Sequence, residues 1–100
     1  MDQSFEKKVL RSLGKIPRGR VTTYKGLARI AGNPRAYRAA GNAAHKNPNP
    51  VIVPCHRVVR SDGRIGGYGG GVKKKIVLLA KEGVVVRSGR IDLKLYGWKI

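Results

Sequence analysis

The sequence predicts a mainly α-helical domain with a small β wing, winged-helix-like and built on a helix-turn-helix. Three observations predict it. Helical periodicity marks three short segments in the first half of the chain, Gly32-Asn33 separates the second from the third, and two Val/Ile-rich segments flank Ser88-Gly89 near the C-terminus. One hundred residues fit a single domain, 1–100, with one modest core.

Taken in order, Phe5, Val9, Leu10 and Leu13 fall at helical spacing between Ser4, a candidate N-cap, and Gly14, a terminator, which gives a helix over 4–13. Thr23 is placed to cap a second helix whose Tyr24, Leu27, Ala28 and Ala31 share a face, and Gly32 ends it. Asn33-Pro34 reads as the start of a third, alanine-rich helix running from Arg35 to about Lys46. Asn47-Pro48-Asn49-Pro50 forms a rigid non-helical connector, since each proline drives its predecessor into extended geometry. Val51-Ile52-Val53 then reads as a short buried extended segment that delivers Pro54-Cys55-His56-Arg57. After the turn at Ser61-Asp62-Gly63, the run from Gly66 to Gly71 lacks the Lys-Ser/Thr ending of a phosphate loop and reads as a mobile loop carrying Tyr68. A further helix from Lys73 carries Ile76, Val77, Leu79 and Ala80 and ends at Glu82-Gly83. Val84–Val86 and Ile91–Leu95 are expected to pair as the hairpin of the wing.

Composition narrows the function classes. There are 22 Lys+Arg against 5 Asp+Glu, a net charge of +17, and residues 7–61 hold 13 basic residues and no carboxylate. A field of that sign implies a polyanionic partner, nucleic acid or an anionic surface. The longest apolar runs are far too short for a spanning helix, and the first residues do not resemble a secretory leader. The protein is therefore expected in the cytoplasm (nucleoid) or nucleus, unsecreted and with no membrane partner. One cysteine excludes an intrachain disulfide and a multi-cysteine zinc site. No metal and no cofactor are expected.

Cys55 is the only thiol. A lone cysteine is more commonly a small buried hydrophobe than a nucleophile. Its neighbours argue the other way, because His56 can take part in removing the thiol proton and Arg57 adds positive potential that favours the attacking thiolate. On an extended segment adjacent side chains point to opposite faces, so a bend or a bridging water is needed between sulfur and imidazole. The imidazole would itself need an acid to orient it. Glu82 is a candidate, placed at a helix C-terminus where its charge opposes the macrodipole; an exposed Glu82 paired with Lys81 or another lysine is the equal alternative.

Val21-Thr22-Thr23-Tyr24, Ala31-Gly32-Asn33-Pro34-Arg35, Arg38-Ala39-Ala40-Gly41, Asn47-Pro48, Ile52 to Val59, Gly67-Tyr68, Gly70-Gly71 and Leu78 to Gly83 together resemble the C-terminal domain of O6-alkylguanine-DNA alkyltransferases, from about Phe5 to Val86. The Pro-Cys-His-Arg-Val string is highly specific to that family. The resemblance implies direct reversal of damage: double-stranded DNA containing O6-alkylguanine is bound through its minor groove, the base is flipped out, and Cys55 takes the alkyl group irreversibly, once per molecule. It implies that His56, through a water, and Glu82 generate the thiolate, and that Asn47 holds the active-site segment. Tyr24 would contact the flipped base or its 3′ phosphate, and Arg38 would fill the gap left in the stack. Ala39 and Gly41 would allow close approach to the groove, with Arg35 among the DNA contacts. Tyr68 and Gly69 would cover the base while backbone groups near Val58 read its edge. A monomer is expected.

Some positions depart from the family pattern. No counterpart of the usual N-terminal domain is expected within these residues. Gly69 stands where the family commonly has Ser, Tyr37 and Asn42 replace small residues on the DNA-facing helix, and the tail after Val86 lies outside the resemblance, its Tyr96 and Trp98 expected to pack on the core. Two other functions compete. An alkyltransferase-like lesion sensor, which binds alkylguanine, transfers nothing and recruits other repair factors, typically has the reactive cysteine replaced, so Cys55 favours the enzyme. A plain helix-turn-helix regulator gives no reason for Pro54-Cys55-His56-Arg57.

Overall fold

A computed structural model describes residues 3–49 and 51–99. Helices α1 (Gln3–Leu13), α2 (Tyr24–Ile30) and α3 (Tyr37–His45) pack on one another. They enclose a core of Val9, Leu13, Ile16, Leu27, Ala40 and Val58, among others. A second cluster gathers Val21, Val59, Ile65, Leu79, Val84 and Ile91. Strands β1 (Thr22–Thr23) and β2 (Val58–Val59) lie between the two, paired in parallel with Thr22 opposite Val58 and Thr23 opposite Val59. Alternation along β2 sends Val58 into the first cluster and Val59 into the second, so one short strand joins both cores.

The local signals explain most element boundaries. Thr23 caps α2, its hydroxyl accepting from the Gly26 N–H at 3.0 Å. Gly32, with φ 97°, closes α2, and the Asn33 N–H returns to the Ala28 carbonyl at 3.0 Å. That return bond overturns the reading of Asn33-Pro34 as the start of the third helix. Asn33 belongs to the end of α2; a turn follows, and α3 begins at Tyr37 after Ala36, which makes no side-chain cap.

The connector also differs from expectation. Val51 and Ile52 are exposed rather than buried, Val51 has a left-handed φ of 77°, and the Val53 N–H donates to the Asn49 carbonyl at 2.9 Å. The segment is a tight turn, not a strand. The Asn47 side chain accounts for the curl, donating to the Val53 carbonyl at 2.6 Å and accepting from the Asn49 N–H at 3.0 Å. Pro50, part of the expected connector, lies outside the described residues.

The sheet is not where the wing was expected. Ser88 and Gly89, at φ 50° and 73°, do form a hairpin turn, but Arg87 and Arg90 pair in a single antiparallel bridge and the ladder goes no further. Asp92 then caps a short helix α5 (Leu93–Tyr96), accepting from the Lys94 N–H at 2.9 Å, so the β-prone run Ile91–Leu95 is diverted into a helical turn. The tail returns to β1 through Val21 N–H to Tyr96 carbonyl at 2.9 Å and Trp98 N–H to Val21 carbonyl at 2.7 Å. Trp98 packs on the first core and Tyr96 on the second, as their composition led us to expect. Helix α4 (Val72–Lys81) completes the second layer. No helix among the described residues is long and apolar enough to cross a membrane.

Candidate active site

Residues Cys55–Arg57 form one 3₁₀ turn, entered through the Cys55 N–H to Val53 carbonyl bond at 2.8 Å and left through β2. A 3₁₀ turn spaces successive side chains by about a third of a rotation. Opposed faces therefore do not arise: Cys55 stays half-buried, His56 turns fully inward, and Arg57 lies between.

His56 is 1% exposed, and its Nε2 lies 3.1 Å from Glu82 Oε2. Burial pushes the imidazole below its ordinary range, outweighing the opposite pull of the hydrogen bond and charge of Glu82. A neutral ring beside a carboxylate must carry its proton on Nε2, leaving Nδ1 as an acceptor. Nδ1 is buried and has no hydrogen-bond partner among the described residues. The ring thus holds a buried acceptor lone pair at Nδ1.

Glu82 is not the exposed residue of the alternative reading. It is the C-cap of α4, its side chain only 7% exposed, with Arg57 Nε donating to Oε1 at 2.8 Å and Arg57 Nη2 to Oε2 at 2.6 Å. Burial raises the carboxyl, but the hydrogen bonds from Arg57 and His56, with the positive charge of Arg57, prevail and hold it below the usual carboxylate range. Arg57 also donates Nη1 to the Ile16 carbonyl at 2.7 Å, tying the pair to the loop after α1. The unfavourable position at the helix end is thus offset by a bidentate arginine. Sequence reasoning gave Arg57 only a general positive potential; nothing local distinguishes it as the clamp.

A cavity of about 20 Å³ adjoins Cys55, lined by residues that include Tyr24, Asn47, Tyr68 and Gly69. That is room for about one water. A wider groove of about 480 Å³ shares Tyr24 with this cavity and continues past Arg38 and Gly41. Gly41 faces the Tyr24 ring, where a Cβ would lie 3.4 Å from Cδ1. At Gly69 a Cβ would meet only the His45 carbonyl, 4.0 Å away, so a serine fits there. Burial, with the Cys55 charge adding to it, raises the phenols of Tyr24 and Tyr68, keeping both protonated.

Of the residues singled out from the sequence, Val58 is buried, Ala39 is half-buried on α3, and Arg35 is exposed in the turn ahead of it, so these three line neither cavity nor groove. Tyr37 and Asn42 do line the groove. His45 and Arg60, not singled out, also line it. The most conspicuous omission is Lys75, which is 0% exposed. Its i, i+4 relation to the buried Leu79 was the signal that could have found it.

The family described as 6-O-methylguanine DNA methyltransferase, DNA binding domain, matches residues 4–84. The chain belongs to this family. Every site residue named above lies inside the match. The methylated-DNA–protein-cysteine methyltransferase of Rattus norvegicus is 52% identical over 83 residues, which cover 81% of this chain and 40% of the rat protein. The chain thus spans less than half the length of that relative. Among solved structures, S. pombe Atl1 in complex with damaged DNA containing O6-carboxymethylguanine superposes with a TM-score of 0.88 at 32% identity, covering 100% of this chain and 99% of the other. Mycobacterium tuberculosis OGT in complex with DNA gives 0.78 at 41% identity over 82% of this chain and 51% of the other. The tail after Val86, outside the sequence motifs, is included in the Atl1 match.

Proposed function

We propose that the protein repairs DNA by direct reversal, transferring the alkyl group of O6-alkylguanine to Cys55. The observation that carries this reading is the half-buried thiol at a cavity, followed in the same turn by a buried imidazole that is itself held by the clamped Glu82. The thiol proton passes to His56 Nδ1 through one water. The sulfur attacks the alkyl carbon, the S–C bond forms as the C–O bond breaks, and the electron pair stays with the base, which takes up the proton and leaves as guanine. The product is a thioether. Among the described residues none beside Cys55 is suited to removing the alkyl group, so each molecule reacts once.

Binding follows from the same geometry. The basic field attracts the duplex, α3 docks in the minor groove, and Arg38 occupies the gap left by the extruded nucleotide. A purine does not fit in a cavity of about 20 Å³, so the glycine-rich segment carrying Tyr68 and Gly69 moves outward to admit it. Asn47 keeps the acceptor turn in place through its bond to the Val53 carbonyl. Tyr24 contacts the base or its 3′ phosphate, and backbone groups near Val58 read the base edge. Arg35 and Ala39 adjoin the DNA rather than the base. The unit acts as a monomer.

A second reading, an alkyltransferase-like lesion sensor, is favoured by the end-to-end likeness to Atl1. Intact-mass measurement after incubation with an O6-methylguanine oligonucleotide separates the two. Transfer predicts a gain of one methyl group that disappears in Cys55→Ala. Tight binding with unchanged mass would overturn transfer and leave the sensor.

A further inference from the structure

Three exposed arginines stand abreast beside the hairpin turn at Ser88-Gly89. Ser88 and Gly89, both at positive φ, set Arg87 opposite Arg90, and these two arginines exchange both backbone bonds at 2.9 Å. Arg90 is also opposite Arg64, in a bridge flanked by the Ile65 N–H to Gly89 carbonyl bond at 2.9 Å and the Ile91 N–H to Gly63 carbonyl bond at 2.8 Å. Directly opposed residues project from one face of a ladder, with their Cα atoms about 4.5–5.5 Å apart. The neighbours Ile65 and Ile91 point into the second core, so the arginine face is the outer one. Like charges placed directly opposite each other destabilise a ladder. Packing therefore explains Ile65 and Ile91 but not a row of Arg64, Arg90 and Arg87.

Continuity with the groove indicates what the row meets. The Arg60 N–H donates to the Arg64 carbonyl at 2.9 Å, and Arg60 lines the groove that also holds Tyr24 and Arg38. The row thus starts beside the groove wall and leads away from it. Asp62 Oδ2 lies 3.5 Å from Arg64 Nε. The Arg64 N–H, and then the charges of Arg64, Arg60 and Arg90, hold this exposed carboxyl below the usual carboxylate range. No other carboxylate among the described residues is within ion-pair distance of these four arginines. Phosphate oxygens match the guanidinium fork and would relieve the repulsion along the row. We propose that Arg64, Arg90 and Arg87 form a second DNA-contact surface, holding backbone phosphates of the duplex beyond the segment gripped by α3. Arg87 and Arg90 follow residues 4–84 of the family match, so the family assignment does not extend to them. The inference rests on the reading of α3 and the groove as the DNA-docking face.

The test is equilibrium binding of the whole chain to an undamaged duplex of about two helical turns, measured against salt concentration. Wild type is compared with Arg87→Gln/Arg90→Gln. Each phosphate contact contributes about 0.9 to the slope of log K against log salt, so the double variant loses about 1.8 of slope. Between about 50 and 200 mM salt the wild type then loses ~12-fold more affinity than the variant. Lys7→Gln/Lys8→Gln removes the same charge from an exposed part of α1 and separates contact from net charge. A wild-type slope in the arginine variant, or an equal drop in the lysine variant, overturns the proposal. A wild-type DNA slope together with lost binding to deca-glutamate overturns it in favour of an acidic protein segment. Removing Arg90 relieves two like-charge contacts, so the double variant is expected to melt no lower than wild type. Should it fail to fold, Arg87→Gln alone decides, with a drop of about 0.9 expected and an unchanged slope refuting the contact. The duplex carries no lesion, so the outcome is independent of transfer to Cys55. A reduced slope without mass gain on O6-methylguanine DNA sinks transfer and leaves the row; mass gain with an unchanged slope sinks the row alone.

Discussion

Replacing Glu82 with Gln alters the group on which the proposed relay depends while keeping its shape. Oε1 accepts one bond, from Arg57 Nε; Oε2 accepts two, from Arg57 Nη2 and His56 Nε2. An amide has one oxygen and one NH₂, and placing the oxygen at the Oε2 position preserves two of the three bonds. His56 then keeps its proton on Nε2, and its acceptor remains available at Nδ1. What is lost is one charge-assisted bond and the negative charge that neutralises Arg57 and would stabilise an imidazolium. Losing such a bond costs about 1.5–3 kcal/mol, and breaking a buried ion pair costs about 3–5 kcal/mol. Arg57 is still 14% exposed and retains the Ile16 carbonyl, so a value of about 3 kcal/mol, where the two ranges meet, is expected. For a domain of this size that lowers Tm by about 12–24 °C. Methyl transfer, measured as the rate of mass gain on an O6-methylguanine oligonucleotide at a temperature where the variant is folded, falls by about 10²–10⁴. A folded Gln variant that transfers at the wild-type rate across the pH range would remove Glu82 from the relay.

Two further predictions follow from the groove and from the buried pair. Arg38→Ala slows reaction on duplex DNA by up to about 10²-fold while sparing the reaction with free O6-alkylguanine, because only the duplex has an extrusion cost of a few kcal/mol to offset; equal losses on both substrates refute the proposed insertion. Acid destabilises the fold from two groups at once. The imidazole of His56 is depressed below its ordinary 6.5, so as pH falls below that value the unfolded chain binds the proton first and stability declines until the folded value is passed. Glu82 is depressed below 4.5, so its contribution is present above that value and lost as pH falls through the folded one. Thermal melts against pH detect both windows, and His56→Gln should flatten the first; an unchanged slope in that variant would show that His56 is not its source.

The helical layer was readable from sequence because its signals are local. Thr23 capping α2 and the spacing of Phe5, Val9 and Leu13 concern neighbours within one or two turns, and these held. The β elements were not readable in this way. Val51-Ile52-Val53 and Ile91–Leu95 have the composition of strands, yet Asn47 curls the first and Asp92 caps the second into a helix. In both cases one polar side chain competes for backbone groups that a ladder would have used. The actual sheet comes from Thr22-Thr23 and Val58-Val59, which are far apart in sequence and too short to register as strands alone.

By itself the sequence determined the predominance of helix, the basic field, the uniqueness of Cys55 and, through Pro54-Cys55-His56-Arg57, the family. It singled out Glu82 from the scarcity of acids but left its state open between an exposed ion pair and an orienting group. Only the tertiary structure decided that question, because Arg57 and Glu82 are separated by 25 residues in sequence and meet at 2.6 Å only once α4 packs against the acceptor turn. Lys75 makes the same point more strongly. In the string it is one of three consecutive lysines, and its burial depends on three carbonyls that folding brings to one point. Local spacing specifies a helix face; what that face meets, and therefore which charges are buried and which are balanced, is a property of the packed chain.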